Sequence, residues 1–187
     1  MFYISAHYKF TPLLPEETQR MRDELFAFGE EIGMTGLVLV GTEGLNGTVA
    51  AETEEILNIW KQKLESCFGE IVFKDSFSDD QPFKRWFVKI RNEIVSLGDT
   101  EIIPHGKHNH IPPEEGDRMM EEEDVVVLDT RNTYETEIGM FEGAIDPSLR
   151  TFQEFSEYVE KCDIPKDKKV LMYCTGGIRC EKACLEM

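Results

Sequence analysis

The chain has 187 residues, 41% of them hydrophobic, and a formal net charge of −17 at pH 7. This length and apolar content allow one or two domains with packed cores. The negative charge argues against broad, nonspecific binding of nucleic acid. No N-terminal basic-apolar signal and no apolar run of transmembrane length occurs, so we expect a cytoplasmic protein with no membrane partner.

The N-terminal third, residues 1–78, predicts a compact α+β domain with the element order β-α-β-β-α-β. This order is the ferredoxin-like arrangement. The predicted strands are 2–10, 36–40, 48–51 and 71–73, and the predicted helices cover 16–32 and the segment from Thr53 to Cys67. The helices are indicated by apolar side chains at helical spacing, with acidic residues on the other face.

A glycine-rich stretch, Gly41 to Gly47, separates the second and third predicted strands. The pair Asn46-Gly47 is typical of a hairpin turn, so we expect the chain to reverse there. The stretch could be only a turn, or it could approach a ligand closely. In the second case Glu43 and Asn46 are the polar candidates.

Residues 79–112 are expected to form a connector that carries a strand or hairpin, with strand character in Trp86–Ile90 and Glu93–Leu97. Aromatic residues alternate there with four basic ones, and those four are the candidate contacts to the phosphates and bases of a nucleic acid, should one bind: Lys84, Arg85, Lys89 and Arg91. The alternative is an ordinary strand with lysines pointing outward and aromatics inward.

The end of this connector is rich in histidine and proline. His105, His108 and His110 suggest a metal site, because imidazole is a common ligand. No cysteine lies in the segment, and its nearest carboxylates have no recognised ligand spacing. We therefore assign no metal and expect a solvated linker.

Residues 113–187 predict an α/β domain with a parallel sheet. An acidic helix is expected around Glu114–Glu123, and the continuous apolar run Val125–Leu128 is typical of a strand buried on both faces. Thr151 and Glu154 have the spacing of a capping box that starts another helix. A last strand, Val170–Tyr173, leads directly to Cys174.

The loop after that strand carries the strongest chemical signal. Two glycines follow Cys174, and a helix is expected to start near Arg179, which places the sulfur at a helix N-terminus with free backbone N–H groups around it. Such an environment lowers a cysteine pKa. The loop residues Thr175, Gly176, Gly177 and Ile178 would line an anion site, and Arg179 would add a positive charge. We interpret Cys174 as a nucleophile.

Cys174 has two alternative interpretations. A cysteine at a strand end is often a small core residue, but the two glycines, the arginine and the helix start behind it favour a reactive one. A phosphatase loop needs arginine six positions after the cysteine, where this chain has Cys180, so we reject it. The five cysteines favour free thiols in a reducing compartment. Cys180 is expected to pack, or to act on an oxidised or persulfidated Cys174.

The motif Cys174-x-x-Gly177-x-Arg179 resembles the active-site loop of rhodanese domains, whose cysteine carries a persulfide. The upstream strand ending in Asp129-Thr130-Arg131, followed by Glu135, resembles the same domain. The longer strings CTGGIRCEKA, DTRNTYE and GTEGLNG are similar to those of the bacterial tRNA uridine(34) hydroxylase family, and the resemblance covers nearly the whole chain.

This resemblance implies a tRNA-modifying enzyme that converts wobble uridine 34 to 5-hydroxyuridine, with molecular oxygen as co-substrate and a sulfur donor as a possible partner. It also implies that Asp129 and Arg131 support the active-site loop. The family usually has histidine where Met140 stands. Rhodanese domains continue beyond the helix in which Met187 lies, so we expect this domain to be truncated at its C-terminus.

Two functions remain beside the hydroxylase. One is a rhodanese-type sulfurtransferase acting on a small molecule or a protein, and the other is a noncatalytic module that binds a partner through its acidic surface. The thiolate chemistry follows from the loop itself. The hydroxylation follows only from the resemblance, because the sequence has no recognisable haem, dinucleotide or iron motif.

Overall fold

The computed structural model of the chain describes residues 1–105, 110–121 and 124–187. It divides into two compact units, Met1–Ile94 and Val95–Met187. Residues 79–112, treated above as a connector, are thus divided between the two units at Ile94. Among the described residues, no helix is both long enough and apolar enough to cross a membrane.

The first unit is a five-stranded sheet with two helices. Its elements are β1 (Phe2–Phe10), α1 (Pro15–Glu31), β2 (Thr35–Gly41), β3 (Gly44–Ala51), α2 (Glu54–Phe68), β4 (Phe73–Ser78) and β5 (Trp86–Ile90). The strand order is β4-β1-β3-β2-β5, in which the first four strands pair antiparallel and β5 pairs parallel to β2. The ferredoxin-like prediction is confirmed, with one added strand.

One face of this sheet packs against both helices. Alternate strand residues such as Val38, Val49 and Val88 are buried there, together with Leu25 of α1 and Trp60 of α2. Helix α2 begins as predicted, because the Thr53 side chain accepts a hydrogen bond from the Ile56 amide at 3.2 Å. The buried core therefore lies between the helices and the inner face of the sheet.

The turn between β2 and β3 differs from the predicted one. Gly41 pairs with Gly44, so the chain reverses through two residues, and Asn46 and Gly47 lie inside β3. The prediction of a turn at Asn46-Gly47 is wrong. Gly44 has φ +134, and a Cβ there would lie 2.0 Å from the Lys9 carbonyl oxygen, so the close approach of β1 requires glycine at this position.

The two polar candidates of that stretch bind main chain. The Glu43 carboxylate accepts a hydrogen bond from the Ile94 amide at 2.5 Å, and the Asn46 side chain donates to the Ile94 carbonyl at 2.8 Å. Both side chains therefore hold the end of the first unit. The close approach of this stretch to a ligand stays a prediction.

Two further strand predictions need correction. The last strand of the βαββαβ order is Phe73–Ser78 rather than residues 71–73. Glu93–Leu97 forms no strand, because β5 runs parallel to β2 and the chain leaves the sheet at its end. A hairpin partner would have to run antiparallel to β5, and Ile94 is held by side chains instead.

The second unit contains a parallel pair of strands with short helices. Its elements are α3 (Pro113–Met120), β6 (Val125–Asp129), α4 (Thr133–Thr136), a 3₁₀ turn (Phe152–Glu154), α5 (Phe155–Lys161), β7 (Lys169–Tyr173) and α6 (Ile178–Glu186). Strands β6 and β7 pair in parallel from Val125 opposite Lys169 to Asp129 opposite Tyr173. The predicted α/β domain with a parallel sheet is confirmed.

Two helix predictions in this unit were inexact. Helix α3 ends at Met120, and residues 122–123 of the predicted acidic helix lie outside the described part of the chain. Thr151 makes no side-chain cap hydrogen bond, and Glu154 instead accepts from the Arg150 amide at 2.8 Å. The predicted capping box is therefore absent, and the helix opens with a 3₁₀ turn.

The close approach at Gly44 gives a testable consequence. We expect Gly44→Ala to lower the free energy of unfolding by at least ~2 kcal/mol, because the new Cβ meets backbone and the residue keeps a positive φ. Gly33→Ala is the control, since it has φ +77 but open space around the new Cβ. Chemical denaturation would show a clearly larger loss for Gly44→Ala. Equal losses would contradict the close-approach argument.

Candidate active site

The carboxyl ends of β6 and β7 lie side by side. Asp129 is paired with Tyr173, so the residues that follow each strand are neighbours. The Thr130 amide and hydroxyl both donate to the Tyr173 carbonyl at 3.0 Å. This edge therefore fixes the backbone from which Cys174 projects.

The Cys174 sulfur is surrounded by main-chain donors. The Gly177 amide donates to Cys174 Sγ at 3.0 Å, and the amides of Arg179 and Cys180 also help to lower the pKa of this thiol. Gly177 has the left-handed φ of 84° and precedes the first residue of α6, Ile178. The turn brings the N-terminus of α6 onto the sulfur, which favours a negative charge there.

The environment lowers the pKa of Cys174 from 9.0 to about 5. The largest cause is a hydrogen bond from the Cys180 thiol; the amides and the charge of Arg179 act in the same direction, while burial opposes them. Cys174 is partly exposed. At neutral pH it is therefore a thiolate that a small reagent can reach.

Cys180 is the partner of this thiolate. The hydrogen bond from the Cys180 thiol to Cys174 is the largest cause that raises the pKa of Cys180; burial and the charge of Cys174 act in the same direction, so Cys180 stays protonated. Its sulfur also lies 3.6 Å from the Thr130 hydroxyl oxygen. Cys184, on the next turn of α6, is exposed. All five cysteines are free thiols.

Arg179 is held by Glu135 in a two-pronged ion pair. Its Nη1 and Nη2 atoms donate to Glu135 Oε2 at 2.6 Å and Oε1 at 2.8 Å. The Thr175 hydroxyl also donates to Glu135, and the Asn132 amide does so at 3.1 Å. The Arg179 hydrogen bonds are the main reason that the pKa of Glu135 falls to about 2.

Glu135 is a site residue that the sequence analysis quoted only as part of a resemblance. Its available signal was the spacing Asn132-x-x-Glu135, which forms a capping box at the start of α4. Its pairing with Arg179 spans 44 positions of sequence and gave no local signal. The charge that was expected to stand at the rim of the loop is thus balanced by a carboxylate.

A second carboxylate, Asp129, lies beneath the loop. It is fully buried and pairs with Arg131, whose Nη2 lies 2.7 Å from Asp129 Oδ2. The Tyr173 hydroxyl donates to the same oxygen at 2.6 Å. Burial alone would raise the pKa of Asp129, but these hydrogen bonds outweigh it and lower the pKa. Tyr173, which the sequence analysis did not single out, joins this pair to the strand that carries Cys174.

The remaining loop residues have distinct surroundings. The Thr175 side chain is directed to Glu135 rather than to the sulfur. A Cβ added at Gly176 would meet nothing within 4 Å, so the loop has open space there. Ile178 begins α6. The structure thus brings together Cys174, Cys180 and the loop amides, with the two ion pairs beside them.

The basic residues predicted to contact tRNA belong to the first unit. All four, Lys84, Arg85, Lys89 and Arg91, are exposed. Trp86, in contrast, faces the core, where its indole N–H donates to the Phe26 carbonyl at 3.0 Å and its ring meets Trp60 at 5.2 Å. Trp86 is therefore a packing residue, whereas Phe87 is 39% exposed.

The histidine-rich segment offers no metal site within the part of the chain that the structure describes. His110 Nε2 lies 2.9 Å from Glu181 Oε1, so this imidazole is engaged by a carboxylate of α6. His108 lies outside the described residues.

The hydrogen bond between the two sulfurs can be tested by alkylation. We expect Cys180→Ala to raise the pH midpoint of Cys174 alkylation from about 5 by about one pH unit or more, because a charged hydrogen bond of roughly 1.4 kcal/mol is lost. Cys184→Ala is the control and should leave the midpoint unchanged. The measurement is the iodoacetamide rate at Cys174 by mass spectrometry. An unshifted Cys180→Ala profile would contradict the assignment.

The Glu135–Arg179 pair predicts a pH-dependent stability. Because the folded pKa of Glu135 lies below its unfolded value of 4.5, its contribution is complete above that pH and is lost as the pH falls towards about 2. We expect Glu135→Gln to lower the free energy of unfolding at pH 7 by up to about 3 kcal/mol. The difference in the free energy of unfolding between this variant and the parent chain should become smaller below pH 4.5. If denaturant titrations show a difference that does not depend on pH, the ion pair is refuted.

Comparison with known proteins finds a matching family model for each of the two units. Residues 2–94 match the family model described as UPF0176 acylphosphatase like domain, and residues 112–187 match the rhodanese-like domain. A tRNA uridine(34) hydroxylase of Bdellovibrio bacteriovorus is 45% identical over 100% of this chain and 54% of its own length. Those of Acinetobacter baumannii strain AYE and Legionella pneumophila strain Paris are 40% and 38% identical, over 57% and 71% of their own lengths and 96% of this chain.

The chain thus spans little more than half the length of the first two of these relatives. The match to the Legionella protein covers more than two thirds of that protein at 38% identity. This match, together with the two domain models, shows that this chain belongs to the tRNA uridine(34) hydroxylase family.

Proposed function

We propose that this protein hydroxylates uridine 34 of tRNA to 5-hydroxyuridine, with Cys174 as its reactive group. The observation that carries the proposal is the Cys174 sulfur at the N-terminus of α6, where the Gly177 amide donates to it at 3.0 Å, in a chain whose relatives of 38–45% identity are named for this reaction. The site provides a thiolate, and the names of the relatives indicate the substrate. We also propose that the protein acts in the cytoplasm, where its tRNA substrate is found.

The first chemical step that we propose is formation of a persulfide on Cys174. The thiolate attacks the sulfane sulfur of a donor such as thiosulfate; the new sulfur–sulfur bond forms as the donor's bond breaks, and sulfite leaves with the bonding electron pair. Cys174 then ends in a terminal S⁻. The amides of Gly177, Arg179 and Cys180 would stabilise that anion as they stabilise the thiolate.

The two ion pairs act as positioning groups in this proposal. Glu135 holds Arg179 and Thr175, and so fixes both ends of the loop around the sulfur. Asp129 holds Arg131 and the Tyr173 hydroxyl, and so fixes the strand end just before Cys174. Neither carboxylate needs to touch the substrate.

For tRNA we propose phosphate contacts by the exposed cations Lys84, Arg85, Lys89 and Arg91. Hydroxylation replaces a C–H bond of the uracil ring by C–OH and removes two electrons from it. Molecular oxygen is the co-substrate that we propose; one of its atoms would enter the ring and the other would leave as water, with two further electrons and two protons from a thiol-class reductant that ends as a disulfide.

A second candidate is a rhodanese-type sulfurtransferase that passes the sulfur to a small molecule or a protein. The specific observation in its favour is the loop itself, where main-chain amides and the Cys180 thiol suit a sulfur anion without any reference to RNA. The two candidates share the persulfide and differ in what consumes it.

Two measurements on Cys174→Ser separate the candidates. Cyanide should release thiocyanate from the sulfur-loaded parent chain and none from Cys174→Ser, because the persulfide needs the thiolate. Mass spectrometry of tRNA nucleosides should show less 5-hydroxyuridine in cells with Cys174→Ser than in cells with the parent chain. Cys162→Ser is the control for both. Thiocyanate release with unchanged 5-hydroxyuridine would favour the sulfurtransferase, and no release from the parent chain would remove both candidates.

A further inference from the structure

The N-terminal sheet has a second face, which the helices of its own unit do not cover. Successive side chains of a strand point to opposite faces of the sheet. The residues next to the buried Val38 in β2 and next to the buried Val88 in β5 therefore point to this second face. Leu37 is 38% exposed there and Phe87 39% exposed. We call this surface the open sheet face and define its central part by Leu37, Thr48, Phe87 and Lys89.

These four residues are direct neighbours. Leu37 lies opposite Thr48 on β3 and beside Phe87 on β5, so a small, an aliphatic and an aromatic side chain form a row across three strands. The Lys89 ammonium lies 4.8 Å from the centre of the Phe87 ring. Partly exposed aromatics of β1 lie on the same face, Tyr8 and Phe10, whose rings are 6.1 Å apart.

The helical side of this unit and its open sheet face differ in charge. Helices α1 and α2 carry nine acidic and four basic residues between them. Within residues 1–94, all of which the structure describes, the strand positions of the open sheet face include no aspartate or glutamate. The exposed Lys84, Arg85 and Arg91 flank the face at the two ends of β5. In a chain of net charge −17, an aromatic and cationic face favours a polyanion.

We propose that the open sheet face binds a single-stranded segment of RNA. Bases would stack on Phe87 and lie against Leu37, while Lys89 and the flanking arginines contact phosphates. Stacking on sheet aromatics is a general means of holding unpaired bases, and one common RNA-binding module stacks two or three bases on a four-stranded sheet in this way. A duplex would gain less, because its bases are stacked on one another.

This inference deepens the proposed function, on which it rests for the identity of the RNA. Uridine 34 lies in the anticodon loop, where bases are unpaired. The open sheet face would hold bases of that loop, whereas the thiolate chemistry belongs to Cys174. The two roles fall on different residues, so they can fail separately.

The test compares two aromatic substitutions in the full chain. Phe87→Leu removes the ring but keeps an apolar side chain, and Phe77→Leu is the matched control, because Phe77 is 73% exposed and lies on the other face of the sheet. The probe is a fluorescein-labelled anticodon stem-loop with uridine at position 34, beside a duplex of the same stem without the loop. Binding is measured by fluorescence anisotropy at several salt concentrations.

We expect Phe87→Leu to weaken binding of the stem-loop about tenfold with an unchanged salt dependence, and Phe77→Leu to have no effect. Lys89→Gln should instead reduce the slope of log affinity against log salt by about 0.7. The parent chain should prefer the stem-loop to the duplex. Ultraviolet cross-linking of the stem-loop to the parent chain should mark the peptide that contains Phe87.

Equal binding by the two phenylalanine variants, equal binding of stem-loop and duplex, or no binding of the stem-loop by the parent chain would each overturn the proposal. So would cross-links that avoid the Phe87 peptide. If the stem-loop binds through Phe87 while Cys174→Ser leaves cellular 5-hydroxyuridine unchanged, the open sheet face stands and the proposed hydroxylation falls. If Cys174→Ser abolishes 5-hydroxyuridine while Phe87→Leu binds normally, the reverse holds.

Discussion

A sulfur anion at the start of a helix is the feature on which the rest of the C-terminal unit depends. Burial disfavours the charge on Cys174, and the Cys180 thiol together with the main-chain amides at the start of α6 outweighs that cost. The donors are available because α6 starts at Ile178, immediately after the left-handed Gly177. A longer turn, or a residue with a Cβ at position 177, would move the helix N-terminus away from the sulfur.

The charged side chains near the loop position its backbone more than they stabilise the negative charge on Cys174. Arg179 and Arg131 each face a carboxylate of their own, Glu135 and Asp129. The positive charge of the arginines is therefore largely balanced, and main-chain dipoles with the Cys180 thiol provide most of the stabilisation of Cys174.

The sequence predicted the elements whose signal is local. The Thr53 cap of α2, the buried strand β6 and the sequence Cys174-Thr175-Gly176-Gly177 before a helix all follow from neighbouring residues. What it missed depends on partners far along the chain. The β2–β3 turn falls at Thr42-Glu43 because β1 passes close to Gly44, and β5 joins β2 in parallel instead of forming a hairpin. Glu135 likewise gains its role only from Arg179, 44 positions away.

The account depends on Cys174 being ionised in the folded chain, and the most direct measurement is its thiolate absorbance near 240 nm as the pH is raised. In the acidic and neutral range the difference between the parent chain and Cys174→Ser reports this one sulfur; at higher pH it also contains Cys180, whose pKa Cys174 raises. The account predicts a single rise with a midpoint at about 5. A midpoint near 9.0, the value for an ordinary cysteine, would show that the loop does not hold a thiolate and would contradict the mechanism built on it.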